Sequence, residues 1–130
     1  MSILKRIKDS VTAGINENWS NLTNISELDK VDQLSNDRPI ILFKHSVTCG
    51  ISSGAKYRLE SDWDGLSHDV HFYYLDLLSH RNISNAIAER YNVAHQSPQI
   101  LIIRNGHSIY DTSHHRISIS DINDALAQRA

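Results

Sequence analysis

The stretch QILIIRNGHSIYDT, residues 99–112, decides the fold that we predict for this chain. It contains two runs of strand-forming residues, 99–104 and 107–112, joined by Asn105-Gly106. Because Asn-Gly readily supplies the two positive φ angles of a type I′ turn, the pattern predicts an antiparallel hairpin. A last helix is predicted from about Ser118, with Asp121 in its first turn, and its inward-facing residues are Ile119, Ile122, Ala125 and Leu126.

Strand and helix patterns alternate before this hairpin. Residues 40–43 are a fully apolar run, which predicts a central strand covered on both faces, and residues 70–76 predict a second strand. A helix pattern follows each strand. The first is predicted to end near Gly65 and to face inward through Ile51, Ala55, Leu59 and Trp63; the second does so through Ile83, Ala86, Ile87 and Tyr91. Two such units in succession predict parallel strands with right-handed crossovers.

A short strand at residues 19–23 and a two-turn helix from Ser26 precede these units. Asp29 stands three residues after Ser26, which is a weak form of the capping box. The helix would face inward through Leu28, Val31 and Leu34. The predicted order βαβαβαββα, with a mixed central sheet flanked by helices, resembles the thioredoxin-like α/β fold.

Composition bounds the class of protein. The chain has 130 residues and a net charge of −2, so we expect one domain over residues 19–130 and no phosphate-binding nucleic-acid surface. Residues 1–18 are predicted to be an extension that is either disordered or a short amphipathic helix. No apolar stretch approaches the length of a membrane span. With a single cysteine and no secretory signal pattern, we expect a cytoplasmic protein.

Cys49 follows the first predicted strand and precedes the helix that comes after it. A thiol at the start of a helix lies near unpaired backbone N–H groups and the positive end of the helix dipole, both of which favour the thiolate. The polar segment HSVTCG around it is unlike the surroundings of a buried structural cysteine. We therefore predict that Cys49 is a reactive thiol.

Ser97-Pro98 stands directly before the first strand of the hairpin. In the thioredoxin fold, which the element order resembles, a cis-proline at this place faces the reactive cysteine. The backbone of Ser97 would then be free to pair with an extended substrate. The alternative is an ordinary trans turn.

Three segments together resemble the monothiol bacilliredoxin family, also described as YtxJ-type or bacillithiol-system proteins. They are FKHSVTCGIS, HQSPQILIIRNG and TSHHRIS. Two residues differ from the family pattern: Gly50 replaces a proline, and Gln96 replaces a glutamate. The resemblance implies that Cys49 is catalytic. It also implies that the residues around the bound substrate are His45, Thr48, Gly50, His95, Ser97, Pro98 and His114.

The position three residues after Cys49, where two-cysteine oxidoreductases carry a resolving thiol, is Ser52. The chemistry would therefore halt at a mixed disulfide on Cys49 until an external thiol arrives. The resemblance implies that S-thiolated cytosolic proteins are the clients and that bacillithiol, or a similar small thiol, is the co-substrate. We expect no other cofactor and no metal, because His68, His71, His80 and His107 show no ligand spacing.

The sequence is compatible with more than one function. Cys49-Gly50-Ile51-Ser52 is close to the C-G-F-S of monothiol glutaredoxins, which would make the chain a [2Fe-2S] carrier. A non-catalytic thioredoxin-like binding module is a third possibility. His45 would either assist Cys49 electrostatically or support its loop. His114 and Arg116 would either bind carboxylates of a small thiol or form a surface loop without that role.

Overall fold

The computed structural model describes residues 19–46, 50–66 and 69–129, and the extension at residues 1–18 lies outside them. Its elements follow the predicted order βαβαβαββα. The strands are β1 (Trp19–Asn21), β2 (Ile40–His45), β3 (His71–Asp76), β4 (Gln99–Arg104) and β5 (His107–Ser113). The helices are α1 (Glu27–Leu34), α2 (Gly50–Ser61), α3 (Arg81–Tyr91) and α4 (Ile119–Arg129). Two short 3₁₀ turns, Trp63–Gly65 and His114–Arg116, follow α2 and β5.

The five strands form one mixed sheet in the order β1-β3-β2-β4-β5. β3 pairs in parallel with β1 and β2, while β4 is antiparallel to both β2 and β5. The central position predicted for the apolar run at residues 40–43 is confirmed, because every residue of β2 is buried. The hairpin turn is also confirmed, with φ of 54° at Asn105 and 77° at Gly106.

Alternate residues of β2 serve two separate apolar cores, one on each face of the sheet. Ile41 and Phe43 belong to the core that is covered by α2 and α4. Ile40 and Leu42 belong to the core that is covered by α1 and α3. None of the described helices is long and apolar enough to cross a membrane.

The inward face predicted for α2 is partly wrong. Ala55 and Leu59 are fully buried, but Ile51 is 47% exposed and Ser52 is 0% exposed. A helix turns about 100° per residue, so Ser52 lies only about 20° from the direction of Leu59 while Ile51 lies about 80° away. The helix also ends at Ser61 rather than near Gly65, and Trp63 packs against the core from the 3₁₀ turn.

The predicted capping box of α1 is also wrong. The Ser26 side chain makes no cap hydrogen bond, and its backbone is already helical. The Glu27 carboxylate instead accepts hydrogen bonds from the backbone N–H groups of Thr23 and Asn24, at 2.9 and 3.0 Å. The inward face of α1 is as predicted in Leu28 and Val31, which are buried.

Candidate active site

The candidate site lies at one end of the sheet, which we call the thiol end. It consists of the last residue of β2, the residues before β4 and the residues after β5: His45, Ser97, Pro98 and His114. Strand register aligns these positions, because Lys44 pairs with Gln99 and Gln99 pairs with Ser113. The segments that continue from the three strands therefore leave the sheet side by side.

Cys49 and Thr48 lie outside the described residues, so their roles remain predictions. The structure fixes the elements on either side of them. β2 ends at His45, and α2 begins at Gly50, the residue directly after the thiol. The predicted junction between a strand and a helix is therefore present. Gly50 is exposed, and a Cβ at this position would meet nothing within 4 Å.

The Ser97-Pro98 peptide bond is cis, as the sequence predicts, and it directly precedes β4. The Gln99 side chain braces the loop that leads to it. Gln99 donates from Nε2 to the carbonyl of Ala94 at 3.0 Å and accepts at Oε1 from the N–H of Gln96 at 3.3 Å. The Ser97 hydroxyl is buried and has no hydrogen-bond partner among the described residues.

His114 is held against the cis-proline. Its backbone N–H donates to the carbonyl of Pro98 at 3.1 Å, and its φ of 57° is in the left-handed region. Arg58, on α2, secures the other side of this turn by donating to the carbonyls of His114 and Ile117, at 3.0 and 3.2 Å. Arg58 thus links α2 to the 3₁₀ turn at His114–Arg116, which we call the His114 turn. The spacing of residues in the sequence did not indicate this role.

His45 is 3% exposed, and its ring contacts the aromatic rings of Phe43 and Tyr74. Burial, and then the charge of Lys56, lower its pKa to about 4 although Asp76 and a backbone hydrogen bond with Ser52 act in the opposite direction. His45 is therefore neutral at physiological pH. This favours a supporting role in the loop over assistance by a positive charge. Its Nδ1 atom is buried and has no partner among the described residues.

His95 lies on the opposite side of the sheet from His45. It contacts Lys44 and Ser84, whereas His45 packs with aromatic residues of the α2 and α4 side. The sequence predicts that both histidines surround one substrate. In the described structure their side chains lie on opposite faces of the sheet. Lys44 was not predicted as a site residue, although it is 0% exposed and carries a charged side chain.

Ser52, in the position of a resolving thiol, is fully buried. Its hydroxyl oxygen accepts a hydrogen bond from the N–H of Ser46 at 3.3 Å, which ties the first turn of α2 to the residue after β2. Among the described residues, no group of three or more histidines and carboxylates is placed to hold a metal ion.

Solved structures similar to this chain share the thioredoxin fold. A candidate oxidoreductase described as having that fold is 29% identical, with a TM-score of 0.68, covering 82% of this chain and 92% of its own. Thioredoxin from Fasciola hepatica is 16% identical, with a TM-score of 0.63, covering 85% of this chain and 98% of its own. At that lower identity the likeness concerns the fold alone.

The family comparison reaches further than the fold. The profile described as monothiol bacilliredoxin BrxC matches residues 20–122, which include the strand-to-helix junction, the cis-proline loop and the His114 turn. This chain has the thioredoxin fold and belongs to the monothiol bacilliredoxin family, whose chemistry is the redox chemistry of thiols.

Proposed function

We propose that the chain removes a small thiol, bacillithiol or a close analogue, from mixed disulfides on other proteins by way of Cys49. One observation carries the single-cysteine mechanism: the position of a resolving thiol holds Ser52, whose side chain is buried and hydrogen-bonded to the backbone. Cys49 is also the only cysteine in the sequence. No second thiol of this chain can therefore resolve an adduct on the first.

The first step is an exchange without net oxidation. The Cys49 thiolate attacks the sulfur of the small thiol, a new S–S bond forms, and the client leaves as a thiolate. In the second step a second small thiolate attacks the cap on Cys49, which releases a small-molecule disulfide and regenerates the Cys49 thiolate. The second small thiol is the reductant, so the protein itself needs no resident cofactor.

The neighbouring groups support this reaction through position and charge. Cys49 directly precedes α2, so its sulfur is expected near the unpaired N–H groups of the first turn, which favour the thiolate. The cis-proline loop and the His114 turn leave the same end of the sheet and would receive the substrate backbone or the cap. We place the reaction in a reducing compartment such as the cytosol, where a lone thiol stays reduced.

The test uses a bacillithiolated client protein and intact mass spectrometry. The wild type is expected to gain the mass of one bacillithiol while the client loses it, and the Cys49→Ser variant is expected to gain none. A matched control is the Cys49→Ser/Ser53→Cys variant, which carries one thiol on α2 at a position that is exposed. An adduct on Cys49→Ser, or none on the wild type, would defeat the proposal.

Turnover separates catalysis from passive capture. With excess bacillithiol the wild type is expected to process many equivalents of client, while the Cys49→Ser/Ser53→Cys control reacts slowly. If both proteins reacted at the same rate, Cys49 would be an ordinary exposed thiol, and the binding-module interpretation would be favoured. Membership of the monothiol bacilliredoxin family favours the exchange reaction over the cluster-carrier interpretation.

A further inference from the structure

Lys44 is a buried cation in the centre of the molecule. It lies on β2 between two neighbouring strands, where it pairs with Leu75 and Gln99, and its side chain is 0% exposed. Lysine is almost never fully buried without a paired charge. No carboxylate among the described residues forms an ion pair with it; Nζ instead lies 3.4 Å from the carbonyl of Ser84 and 3.4 Å from Nδ1 of His95.

The contact with His95 fixes which ring nitrogen carries the proton. An ammonium group has only donors, so the Lys44 Nζ must donate and Nδ1 of His95 must accept. Burial, and then the charges of Lys44 and Arg81, lower the pKa of His95, so the ring is neutral. A neutral imidazole that accepts at Nδ1 carries its single proton on Nε2.

The second neighbour of His95 Nδ1 does not determine which tautomer forms. The Ser84 hydroxyl lies 3.1 Å from the same nitrogen, but a hydroxyl either donates or accepts and so fits both tautomers. No described residue hydrogen-bonds Nε2 of His95, which is half-buried and stands three residues before Pro98. The Nε2–H of His95 therefore has no partner among the described residues, and His95 belongs to the segment that leads to the cis-proline.

We propose that Lys44 is a positioning residue that holds His95 as a neutral Nε2–H donor for an acceptor oxygen of the bound mixed disulfide. The field of Lys44 and Arg81 favours a carboxylate as that acceptor, because both side chains are cationic. The proposal rests on the proposed function for its substrate. Its structural part, the tautomer of His95, concerns the protein alone.

Imidazole ¹⁵N NMR on the substrate-free protein at neutral pH measures that tautomer directly. The wild type and the Ser84→Ala control are expected to show Nδ1 as unprotonated and Nε2 as protonated. In Lys44→Met the ring is expected either to redistribute between tautomers or to take up a second proton at Nδ1. A wild-type ring protonated at Nδ1, or an unchanged tautomer and charge in Lys44→Met, would overturn the proposal.

Kinetics test whether the donor reaches the substrate. Losing one hydrogen bond should raise KM for a bacillithiol-capped client about 3- to 10-fold in Lys44→Met. A client capped with mercaptoethanol, which has no carboxylate, should show a smaller change, and Lys30→Met, at an exposed position, should show none. An altered tautomer with an unchanged KM for both caps would refute the substrate contact. If the wild type lacked exchange activity, the proposed function would fail while the NMR result stood.

Discussion

The two ends of the sheet differ in how completely their buried polar groups are hydrogen-bonded. At the opposite end of the sheet, which carries the Asn105-Gly106 turn and which we call the turn end, Ser35 is 0% exposed and hydrogen-bonded through both of its polar oxygens. Its carbonyl accepts from the N–H of Asn105 and the guanidinium of Arg104, and its hydroxyl accepts from the N–H of Gly106 and donates to the carbonyl of Asp32. At the thiol end, His45 Nδ1 and Ser97 Oγ are buried without partners among the described residues, and Trp19 Nε1, in β1, is the third such atom. Buried polar groups without partners lower stability.

Ser35 therefore stabilises the turn end through both its carbonyl and its hydroxyl, whereas His45 Nδ1 and Ser97 Oγ receive no stabilising hydrogen bond from the described residues. Lys44 and His45 adjoin each other on β2, and burial lowers the pKa of both, to about 8 and about 4. Natural proteins concentrate such groups at functional sites. Variants at the two ends should therefore separate stability from activity.

The largest effect is expected from acid at the thiol end. In the folded state the pKa of His45 is about 4, whereas in the unfolded chain it has its ordinary value of 6.5. Because the unfolded state takes up more protons in that interval, stability falls as pH falls. The free energy of unfolding of the wild type relative to His45→Leu should drop by about 2 to 3 kcal/mol between neutral pH and about pH 4. Urea unfolding of both proteins measures it, and a constant difference would contradict it.

The next effect lies at the turn end. Ser35→Ala removes the hydroxyl that joins the carbonyl of Asp32 to the N–H of Gly106, which leaves both groups unpaired. The free energy of unfolding should fall by about 2 kcal/mol. The exchange rate at a temperature where the variant is folded should equal that of the wild type. A loss of activity in folded Ser35→Ala would break the separation between the two ends.

A smaller loss of stability with a clear loss of activity is expected for Arg58→Met. The substitution removes two hydrogen bonds to the turn at His114–Arg116 and Ile117, at a half-buried position, so the free energy of unfolding should fall by about 1 kcal/mol. Since the same turn is bonded to Pro98, the exchange rate should fall as well. Wild-type kinetics in Arg58→Met would show that the His114 turn does not contribute to the site.

The smallest effect is expected at Gly50. This residue begins α2, and a Cβ added there would meet nothing within 4 Å. Gly50→Ala should therefore raise the free energy of unfolding by about 0.5 kcal/mol, because alanine loses less conformational entropy on folding. A lower melting temperature in Gly50→Ala would show that the glycine is required by its neighbours.

The fold was predictable because its signals are local. The apolar run in β2, the Asn105-Gly106 turn and the inward residues of α3 and α4 depend on spacing within one element. The face of α2 was misassigned because a spacing of four residues drifts about 40° per step, which makes Ile51 seem to lie in line with Leu59. Ser52, the residue that is buried, is polar and therefore gave no apolar signal.

The site was predictable at the junction and at Ser97-Pro98, where a resemblance could be matched residue by residue. Its supporting contacts were not predictable. Arg58 reaches the His114 turn across 56 residues of sequence, and Lys44 reaches His95 across 51. Contacts at such separations depend on the assembled sheet. The burial of Lys44 was also not predictable, since a lysine at the end of an apolar run is usually solvated.

The proposed reaction depends most on the ionisation of Cys49, and the rate of Cys49 alkylation by iodoacetamide as a function of pH measures that ionisation directly. A thiolate stabilised at the start of α2 should titrate below the ordinary thiol value of about 8.5, so alkylation should already be fast near neutral pH. The Cys49→Ser/Ser53→Cys variant supplies the reference thiol on the same helix. An apparent pKa for Cys49 at or above that of the reference thiol would contradict a reactive thiolate at the start of α2.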